Sequence, residues 1–253
     1  MASVDVAAKR REERTVPVWQ EATVAAVLDE APDAVTLRFQ LERPGGFLPG
    51  QYYNVRLALP GRERPVQRAY SVGSSPAPDP SLIDLGIREV PGGLLSPLLV
   101  RLDAGRRLSV RGPYGRFTWN GRDEGPALLV GAGSGLVPLM SMVRHAAYQG
   151  RQDPVWLICS AVTYQHAFYR DELADLAGEH RWLRLVHCIT RDPNERRAHY
   201  HRRVDAAVLA ETLEAARPCQ TYLCGPPAMV ESVAAALHLL GVDRHSIATE
   251  KYD

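Results

Sequence analysis

The hydrophobic pattern of the chain changes near residues 120–126, and no other feature constrains the fold as strongly. Before this point, segments such as residues 33–41 and 52–59 alternate apolar and polar side chains. Turn clusters rich in Gly and Pro separate these segments, and a helical stretch at residues 96–102 interrupts them. Short alternating strands with regular turns predict a small antiparallel β-barrel.

After residue 126 the chain alternates between short apolar runs and amphipathic stretches. The apolar runs are residues 127–130, 155–159, 183–189 and 221–224, and the amphipathic stretches lie near residues 136–149, 167–177, 205–216 and 227–240. Continuous apolar strands joined by helices predict a parallel sheet with both faces covered. We therefore predict a polar extension over residues 1–14, a barrel domain over 15–122 and an α/β domain over 123–253.

Composition argues against several classes of protein. The 253 residues are 45% hydrophobic and carry a formal net charge of +1, so a general nucleic-acid binder is not expected. No apolar run approaches the roughly 20 residues of a membrane helix, and the start of the chain lacks the apolar core of a signal peptide. We therefore expect a cytoplasmic protein. The four cysteines are too scattered for a zinc or iron–sulfur site, which favours free thiols and no metal.

A Gly-rich loop lies in the middle of the chain, within the sequence LLVGAGSGLVPLM at residues 128–140. Gly131, Gly133 and Gly135 follow an apolar run and precede a helical pattern, which suits the phosphates of a coenzyme. A tight packing turn is the alternative interpretation. Leu136 stands where a dinucleotide fingerprint has its third glycine, and no acidic residue follows the next apolar run.

Arginines follow the third apolar run of the α/β domain. Arg191 ends the sequence ITR, and Arg196, Arg197, Arg202 and Arg203 come soon after it. A guanidinium group matches phosphate oxygens bidentately, so this segment favours the 2′-phosphate of NADP(H). A solvated basic loop is the alternative.

Three further segments have residues suited to cofactor binding. Residues 68–71 would place Arg68 and Tyr70 on one face of a regular strand and Ser71 on the other. Residues 92–97 open the helical stretch of the barrel and offer a second backbone anion site. An ordinary strand and turn would explain both segments. Residues 221–230 end a strand at Cys224, which we expect to face the cavity beside the Gly-rich loop.

Eight motifs stand in order along the chain: FLPGQY (47–52), RAYS (68–71), GGLLS (92–96), GPYG (112–115), GAGSGLVP (131–138), ITR (189–191), CGPPAM (224–229) and the terminal EKYD. Together they resemble the ferredoxin–NADP reductase family over about residues 17–253. The resemblance implies a flavin-binding, six-stranded antiparallel barrel followed by an NADP(H)-binding α/β domain with a parallel sheet. FAD is expected more than FMN, because the GGLLS segment offers a pyrophosphate site. NADPH is expected, with NADH as the alternative.

The resemblance also implies roles for individual residues. Ser71, Cys224 and Glu250 are the expected catalytic residues around the two reacting rings. Flavin contacts are expected from Arg68, Ala69, Tyr70, Ser71, Arg88, Gly92, Gly93, Leu94, Leu95, Ser96 and Tyr252. Coenzyme contacts are expected from Gly131, Gly133, Ser134, Gly135, Pro138, Ser160, Thr190, Arg191, Tyr200, Arg203, Gly225, Pro226, Pro227 and Met229.

Two positions depart from the family pattern. Ser134 replaces the usual threonine of the Gly-rich loop, which is a small change. Val162 stands where many NADP-preferring members carry a basic residue, which weakens the expectation of NADPH. No acidic residue stands there instead, so the change does not point to NADH.

The implied activity is hydride transfer between NADPH and the flavin, after which single electrons pass to a separate carrier of the ferredoxin or flavodoxin type or to an oxygenase component. Clustered arginines would suit an acidic carrier, although ordinary solvated faces explain them equally well; they are Arg62, Arg64, Arg106, Arg107 and Arg111. A reductase of free flavin or another diffusible acceptor is one alternative. A non-catalytic electron-transfer subunit of a larger complex is another. We expect a monomer with no nucleic-acid partner and no membrane span.

Overall fold

The computed structural model describes residues 17–119, 125–213 and 220–252. The predicted extension over residues 1–14 and the predicted domain join at residues 122–123 lie outside the described residues. The same is true of Cys219 and of the end of the helix that we predict over residues 205–216.

The first half folds into a curled sheet of six antiparallel strands, which confirms the predicted barrel. The strands are β1 (Gln20–Ala31), β2 (Ala34–Leu41), β3 (Tyr52–Leu57), β4 (Val66–Ser71), β5 (Leu82–Arg88) and β6 (Arg107–Tyr114), in the spatial order β4-β3-β6-β1-β2-β5. Their alternating apolar side chains fill the interior, where Leu37, Phe39 and Tyr53 are fully buried. The helical stretch is a single short helix, α1 (Ser96–Leu99).

The edge strands β4 and β5 meet at one end only. A bridge joins Val72 to Leu85, and the N–H of Gly73 donates to the carbonyl of Asp84 at 2.7 Å. Beyond this bridge the strands separate, and a cavity opens between β4 and β5 beside α1. The gap in the barrel thus lies next to the RAYS and GGLLS motifs.

The second half forms a parallel sheet, as predicted. Its strands are β7 (Ala127–Ala132), β8 (Val155–Ala161), β9 (Leu183–Ile189), β10 (Gln220–Gly225) and β11 (Ile247–Lys251), in the spatial order β11-β10-β7-β8-β9. Strand β11, which the sequence pattern did not predict, pairs with β10 at the edge of the sheet. The strand order reverses beside β7, so the Gly-rich loop that follows β7 lies at the switch point where α/β proteins bind ligands.

Four helices cover the two faces of the parallel sheet. They are α2 (Leu136–Tyr148), α3 (Arg170–Glu179), α4 (Ala206–Leu213) and α5 (Pro227–Leu239). Helices α2 and α3 pack on one face and α4 and α5 on the other, because alternate residues of the strands belong to two separate apolar clusters. Pro227 opens α5, where a missing N–H costs no helical hydrogen bond. No helix within the described ranges is long and apolar enough to cross a membrane.

Candidate active site

The opening between β4 and β5, which we call the barrel cavity, has a volume of about 380 Å³. Both domains line it: the barrel provides most of the wall, and the Gly-rich loop, α2 and the end of the chain provide the rest. The lining residues are Arg68, Ala69, Tyr70, Ser71, Gly86, Arg88, Val90, Gly93, Leu94, Leu95, Ser96, Ser134, Val137 and Tyr252. We predicted Ser71 on the face opposite Arg68 and Tyr70, yet all three line this cavity, because it extends around the end of the edge strand.

Arg68 and Tyr70 give the barrel cavity a cation beside an aromatic ring. The Arg68 side chain is exposed, donates to the carbonyl of Gln67 at 2.8 Å, and has no carboxylate partner among the described residues. Burial raises the pKa of Tyr70 to about 12, with the charge of Arg68 acting in the opposite direction. Tyr70 therefore stays a neutral, largely apolar surface, and Arg68 keeps its charge available for an anion.

A chain of hydrogen bonds closes the other side of the barrel cavity. The hydroxyls of Ser71 and Tyr252 share a short hydrogen bond, and the Tyr252 hydroxyl donates to Oε1 of Glu250 at 2.6 Å. Burial raises the pKa of Tyr252 and also that of Glu250, whose bond from Tyr252 opposes this shift. The N–H of Tyr252 donates to the carbonyl of Gly225 at 3.1 Å, which fixes the end of the chain against β10.

Cys224 does not reach either cavity. Its side chain is fully buried at the end of β10, and burial raises the pKa of its thiol. The Tyr252 side chain packs against it. The expectation that Cys224 faces the cavity beside the Gly-rich loop is therefore not met in this arrangement, because Tyr252 covers it.

A second opening, which we call the loop cavity, lies at the carboxyl ends of the parallel strands and has a volume of about 770 Å³. Segments that follow β7, β8, β9 and β10 line it, together with Arg88 of the barrel. The lining residues are Arg88, Ala132, Gly133, Ser160, Ala161, Val162, His166, Thr190, Arg191, Arg202, Arg203, Val204, Asp205, Pro226, Ala228, Met229 and Ser232.

Glycine is needed at the three positions of the loop for different structural reasons. Gly133 has a φ of 56° and borders open space in the loop cavity, so it provides the left-handed turn. Gly135 packs against β10: a Cβ there would lie 2.5 Å from the carbonyl carbon of Cys224 and 2.8 Å from the nitrogen of Gly225. Gly131 lies beneath Leu136 and Leu139 of α2. The packing-turn interpretation therefore applies to Gly131 and Gly135, while the ligand-loop interpretation stays a prediction that rests on the open space at Gly133.

The arginines of the loop cavity differ in their pairing. Arg202 lies 3.6 Å from the carboxylate of Asp205 and 3.5 Å from that of Glu211. Arg191 and Arg203 are exposed and form no ion pair within the part of the chain that the structure describes. The loop cavity therefore keeps two unneutralised guanidinium groups.

The structure brings most of the predicted site residues to the two cavities. The predicted residues that line neither cavity are Gly92, Gly131, Gly135, Pro138, Tyr200, Cys224, Gly225, Pro227 and Glu250. Ser134 lines the barrel cavity, although we expected it on the coenzyme. Seven lining residues had no sequence signal: Gly86, Val90, Ala161, His166, Val204, Asp205 and Ser232. The other additional lining residues had one: Arg202 lies in the arginine cluster, Val162 was noted as a departure from the family pattern, and Ala132, Val137 and Ala228 lie within the motifs at 131–138 and 224–229.

The two cavities adjoin. Gly133 lines one and Ser134 the other, and Arg88 lines both. Arg88 donates to Asp33 at 2.7 and 2.8 Å and to the carbonyl of His166 in the α/β domain at 2.7 Å. Its Nε is buried without a hydrogen-bond partner among the described residues. The two cavities therefore share a boundary at Arg88 and the Gly-rich loop.

Comparison with known proteins agrees with this arrangement. Residues 21–119 match the model of an oxidoreductase FAD-binding domain, and residues 129–235 match that of an oxidoreductase NAD-binding domain. Ferredoxin–NADP reductase B of Sorangium cellulosum is 33% identical over 240 residues, which cover 92% of this chain and 97% of the relative. The chain belongs to the ferredoxin–NADP reductase family. It is accordingly an FAD- and NAD(P)-binding oxidoreductase, and the expectation of FAD is confirmed at the level of the domain.

Other members of the ferredoxin–NADP reductase family serve oxygenases. The reductase component of the naphthalene 1,2-dioxygenase system of Pseudomonas putida is 30% identical, with 91% of this chain and 68% of that protein covered. The crystal structure of a cytochrome P450 reductase from Amycolatopsis superposes with a TM-score of 0.81 at 30% identity, covering 93% of this chain and 70% of that one. A ferredoxin NADP+ reductase from Neisseria gonorrhoeae shares the fold, with a TM-score of 0.78 at 22% identity over 92% and 98% of the chains.

The residues present fit the two groups that this family binds. The barrel cavity joins apolar walls at Tyr70, Val90 and Leu94 to an unpaired guanidinium at Arg68, as a flavin with phosphates requires. The loop cavity places two unpaired guanidinium groups beyond a Gly-rich turn at the start of a helix, as a phosphorylated dinucleotide requires.

Proposed function

We propose that this protein is an NADPH-dependent reductase that holds FAD in the barrel cavity and delivers electrons to a separate one-electron carrier protein. The observation that carries the proposal is the junction of the two cavities at Gly133, Ser134 and Arg88. Two flat rings bound on either side of this junction can stack directly. When bound, FAD supplies the chemistry, because it takes two electrons with hydride from NADPH and releases them one at a time.

The barrel residues would bind and orient the flavin. Arg68 would pair with its phosphates, and Tyr70 would pack on its ring. Gly93–Ser96 would approach the pyrophosphate with their backbone, and the apolar side chains of Val90 and Leu94 would exclude water. Ala69 and Arg88 complete the wall between the two domains.

Ser71, Tyr252 and Glu250 would control a proton at the edge of the flavin ring. The Tyr252 hydroxyl donates its hydrogen bond to Glu250, so its oxygen can accept a hydrogen bond from the Ser71 hydroxyl. For Ser71 to pass its proton to the ring, its hydroxyl would turn away from Tyr252, the Tyr252 proton would replace the one that Ser71 loses, and a protonated Glu250, whose pKa burial raises, would return a proton to Tyr252. Cys224, which lies behind Tyr252, would shape this pocket through packing.

The loop cavity would bind the coenzyme. Gly133 would admit its pyrophosphate, while Thr190, Arg191 and Arg203 would surround the 2′-phosphate that distinguishes NADPH. Arg202 contributes less charge, because Asp205 and Glu211 neutralise it. Val162 is neutral, so selectivity for NADPH rests on Arg191 and Arg203.

The electron acceptor would be an acidic protein, and the reductase would act as a monomer. Two of the five arginines that we considered for this surface are engaged: Arg107 pairs with Glu42, and Arg111 stacks on Trp19 and Tyr114. Arg62, Arg64 and Arg106 are exposed and form no ion pair in the described ranges. They are the positions at which we expect charge reversal to slow transfer to the carrier.

Rapid mixing of the purified, flavin-loaded protein with NADPH or NADH tests this proposal. We expect faster reduction and a lower KM with NADPH. The Arg191→Ala variant should raise the KM for NADPH about 10- to 100-fold and leave the NADH reaction unchanged, since a charge-assisted hydrogen bond is worth about 1.5–3 kcal/mol. Arg196→Ala is the matched control, because Arg196 is exposed in the same segment but does not line the cavity.

Three outcomes would contradict the proposal. Preference for NADH would exclude the roles of Arg191 and Arg203. Purification without flavin, with free flavin turned over as a substrate, would favour a free-flavin reductase. Failure to oxidise either coenzyme would favour an electron-transfer subunit.

A further inference from the structure

The two domains meet through a polar interdomain network that is separate from the residues assigned above. It consists of Glu30, Thr36 and Asp84 from the barrel and Arg144 and Tyr169 from the α/β domain. Tyr169 and Asp84 are almost fully buried. Buried polar groups of this kind fix one arrangement of their partners, because any other arrangement leaves them unsatisfied.

Tyr169 adopts a backbone conformation that needs support. It precedes α3 with φ 57° and ψ 21°, and it is the only non-glycine residue of positive φ within the described ranges. A left-handed tyrosine costs about 1–2 kcal/mol, so neighbouring contacts must hold it in place. Contacts from the barrel do so: its N–H donates to Oε2 of Glu30 at 3.0 Å, and its hydroxyl lies 3.3 Å from Oγ1 of Thr36.

Glu30 joins the barrel to the start of α3. Its carboxylate also accepts the hydroxyl of Thr36 at 2.7 Å, and its backbone carbonyl accepts from Arg170, the first residue of α3, at 2.6 Å. A carboxylate at the N-terminus of a helix is favourable, and here the carboxylate belongs to the other domain. Breaking this contact would release both Tyr169 and the first turn of α3.

Arg144 makes a second connection between the domains. From α2 it donates to the carbonyl of Gly73 at 2.8 Å and lies 3.5 Å from the carboxylate of Asp84, both in the barrel. It also forms a two-bond pair with Glu172 of α3, at 2.6 and 2.8 Å. Its guanidinium lies 5.0 Å from the centre of the Tyr169 ring. Arg144 therefore ties α2 and α3 to the same edge of the barrel.

The interdomain network lies directly behind the wall of the barrel cavity. Gly86 and Val137 line that cavity, and a Cβ at Gly86 would lie 2.9 Å from Cγ1 of Val137 and 3.0 Å from the hydroxyl of Tyr169. Val137 is in the first turn of α2, next to the Gly-rich loop that separates the two cavities. Any shift of Tyr169 relative to Gly86 would therefore change the distance between the two cavities.

We infer that Tyr169 is a positioning residue, held by Glu30, Thr36 and Arg144, that sets how closely the coenzyme in the loop cavity approaches the flavin in the barrel cavity. The effect on the reaction rate rests on the proposed function. The arrangement of the two domains, in contrast, can be measured without any reaction. Displacements of about 1 Å between reacting groups can slow a reaction about 100-fold.

Glu30→Ala is the decisive variant, because it removes the acceptor for Tyr169 without touching either cavity. Glu30→Gln keeps one carbonyl acceptor and is the conservative rescue. Asp29→Ala is the matched control, since Asp29 is the preceding residue of β1 and its side chain is exposed. Tyr169→Phe, which keeps the ring and loses only the hydroxyl, is a milder second variant.

We expect Glu30→Ala to lower the rate constant of flavin reduction at saturating NADPH at least tenfold and to weaken the long-wavelength absorbance of the stacked rings. Affinities for FAD and for 2′,5′-ADP should stay within about twofold, because each of these ligands occupies one cavity. A crystal structure of the Glu30→Ala apoprotein should show Tyr169 displaced relative to Gly86. Glu30→Gln should recover most of the rate, Tyr169→Phe should fall between, and Asp29→Ala should match the natural protein.

Normal reduction and normal stacking absorbance in Glu30→Ala would overturn the inference. Loss of both affinities together with the rate would also overturn it, because the network would then be a general stabilising contact. Failure of the natural protein to oxidise NADPH or NADH would count against the proposed function alone. In that case a crystal structure still decides the inference: an unchanged distance between Tyr169 and Gly86 in Glu30→Ala would reject it.

Discussion

The barrel cavity is lined mainly by residues that are close together in the sequence, whereas the loop cavity gathers residues from four separated segments. Segments 68–71 and 86–96 provide most of the barrel cavity, at the place where two edge strands separate. The loop cavity uses the ends of β7, β8, β9 and β10, which parallel pairing brings to one edge of the sheet. The barrel cavity is therefore formed mainly by two segments, whereas the loop cavity is formed by the pairing of strands across the parallel sheet.

The two cavities also differ in charge. The barrel cavity combines a single unpaired guanidinium, Arg68, with apolar walls and a hydrogen-bonded tyrosine at Tyr252. The loop cavity has Arg191 and Arg203 unpaired and Arg202 neutralised by Asp205. The barrel cavity thus offers one unpaired guanidinium to an anion, and the loop cavity offers two. Under the proposed function, the two guanidinium groups of the loop cavity would favour the 2′-phosphate of NADPH there and leave the barrel cavity to the flavin.

The largest expected effect is at Gly135, where the loop cavity depends on close backbone packing. In Gly135→Ala the new methyl group would meet the backbone of Cys224 and Gly225, which cannot move aside as a flexible side chain can. We expect a loss of about 3 kcal/mol in the free energy of unfolding, measured by urea denaturation. Gly133→Ala is the control: it has open space and should lose only about 1 kcal/mol through its left-handed backbone. Equal losses in the two variants would contradict this explanation.

A smaller effect is expected at Arg68. A change there should weaken binding in the barrel cavity and leave binding in the loop cavity unchanged. Arg68→Gln removes the one unpaired charge of the barrel cavity, so FAD affinity should fall about 30-fold, corresponding to about 2 kcal/mol. Affinity for 2′,5′-ADP should not change, because Arg68 does not line the loop cavity. Titration calorimetry with each ligand gives both values. A parallel loss of 2′,5′-ADP binding would mean that the two cavities are not independent.

The barrel cavity could be read from the sequence more completely than the loop cavity. The motif residues Arg68, Tyr70, Ser71 and Gly93–Ser96 all line it, because a cavity between adjacent strands is made of contiguous residues. In the loop cavity, Asp205 and His166 belong to segments without a motif, and only the folded sheet brings them together.

Three other features could not be predicted from the sequence, each for a physical reason. Strand β11 is short, lies at the edge of the sheet and carries the mixed sequence IATEK, so it lacks the apolar run of a buried strand. The strand that we predicted to end at Cys224 runs one residue further, to Gly225, and Tyr252 covers the thiol, because the fold brings this distant segment beside β10. Tyr169 is left-handed although tyrosine has no preference for that conformation, because contacts from the barrel hold it.

The smallest expected effect is a pH dependence confined to the α/β domain. His187 lies on β9, is only 4% exposed, and has an Nδ1 without a partner among the described residues. Burial lowers its pKa to about 4, and His199 and Arg197 act in the same direction. The unfolded chain binds this proton near pH 6.5, so between pH 6.5 and 4 it binds more protons than the native state does. Stability must therefore fall as the pH falls through this window.

Through His187, the free energy of unfolding should fall by about 1 kcal/mol between pH 7 and pH 5.5. His187→Phe keeps the ring contact with Tyr164 but cannot be protonated, so urea denaturation should show a shallower loss. His238→Gln, which changes an exposed histidine on α5, should follow the natural protein.

The same acidification should weaken the binding of 2′,5′-ADP before that of FAD. The carbonyl of His187 accepts the N–H groups of His199 and Tyr200, which precede Arg203 in the loop cavity. An identical pH slope in His187→Phe would assign the acid sensitivity to other groups, and an equal loss of FAD binding would remove this difference between the cavities.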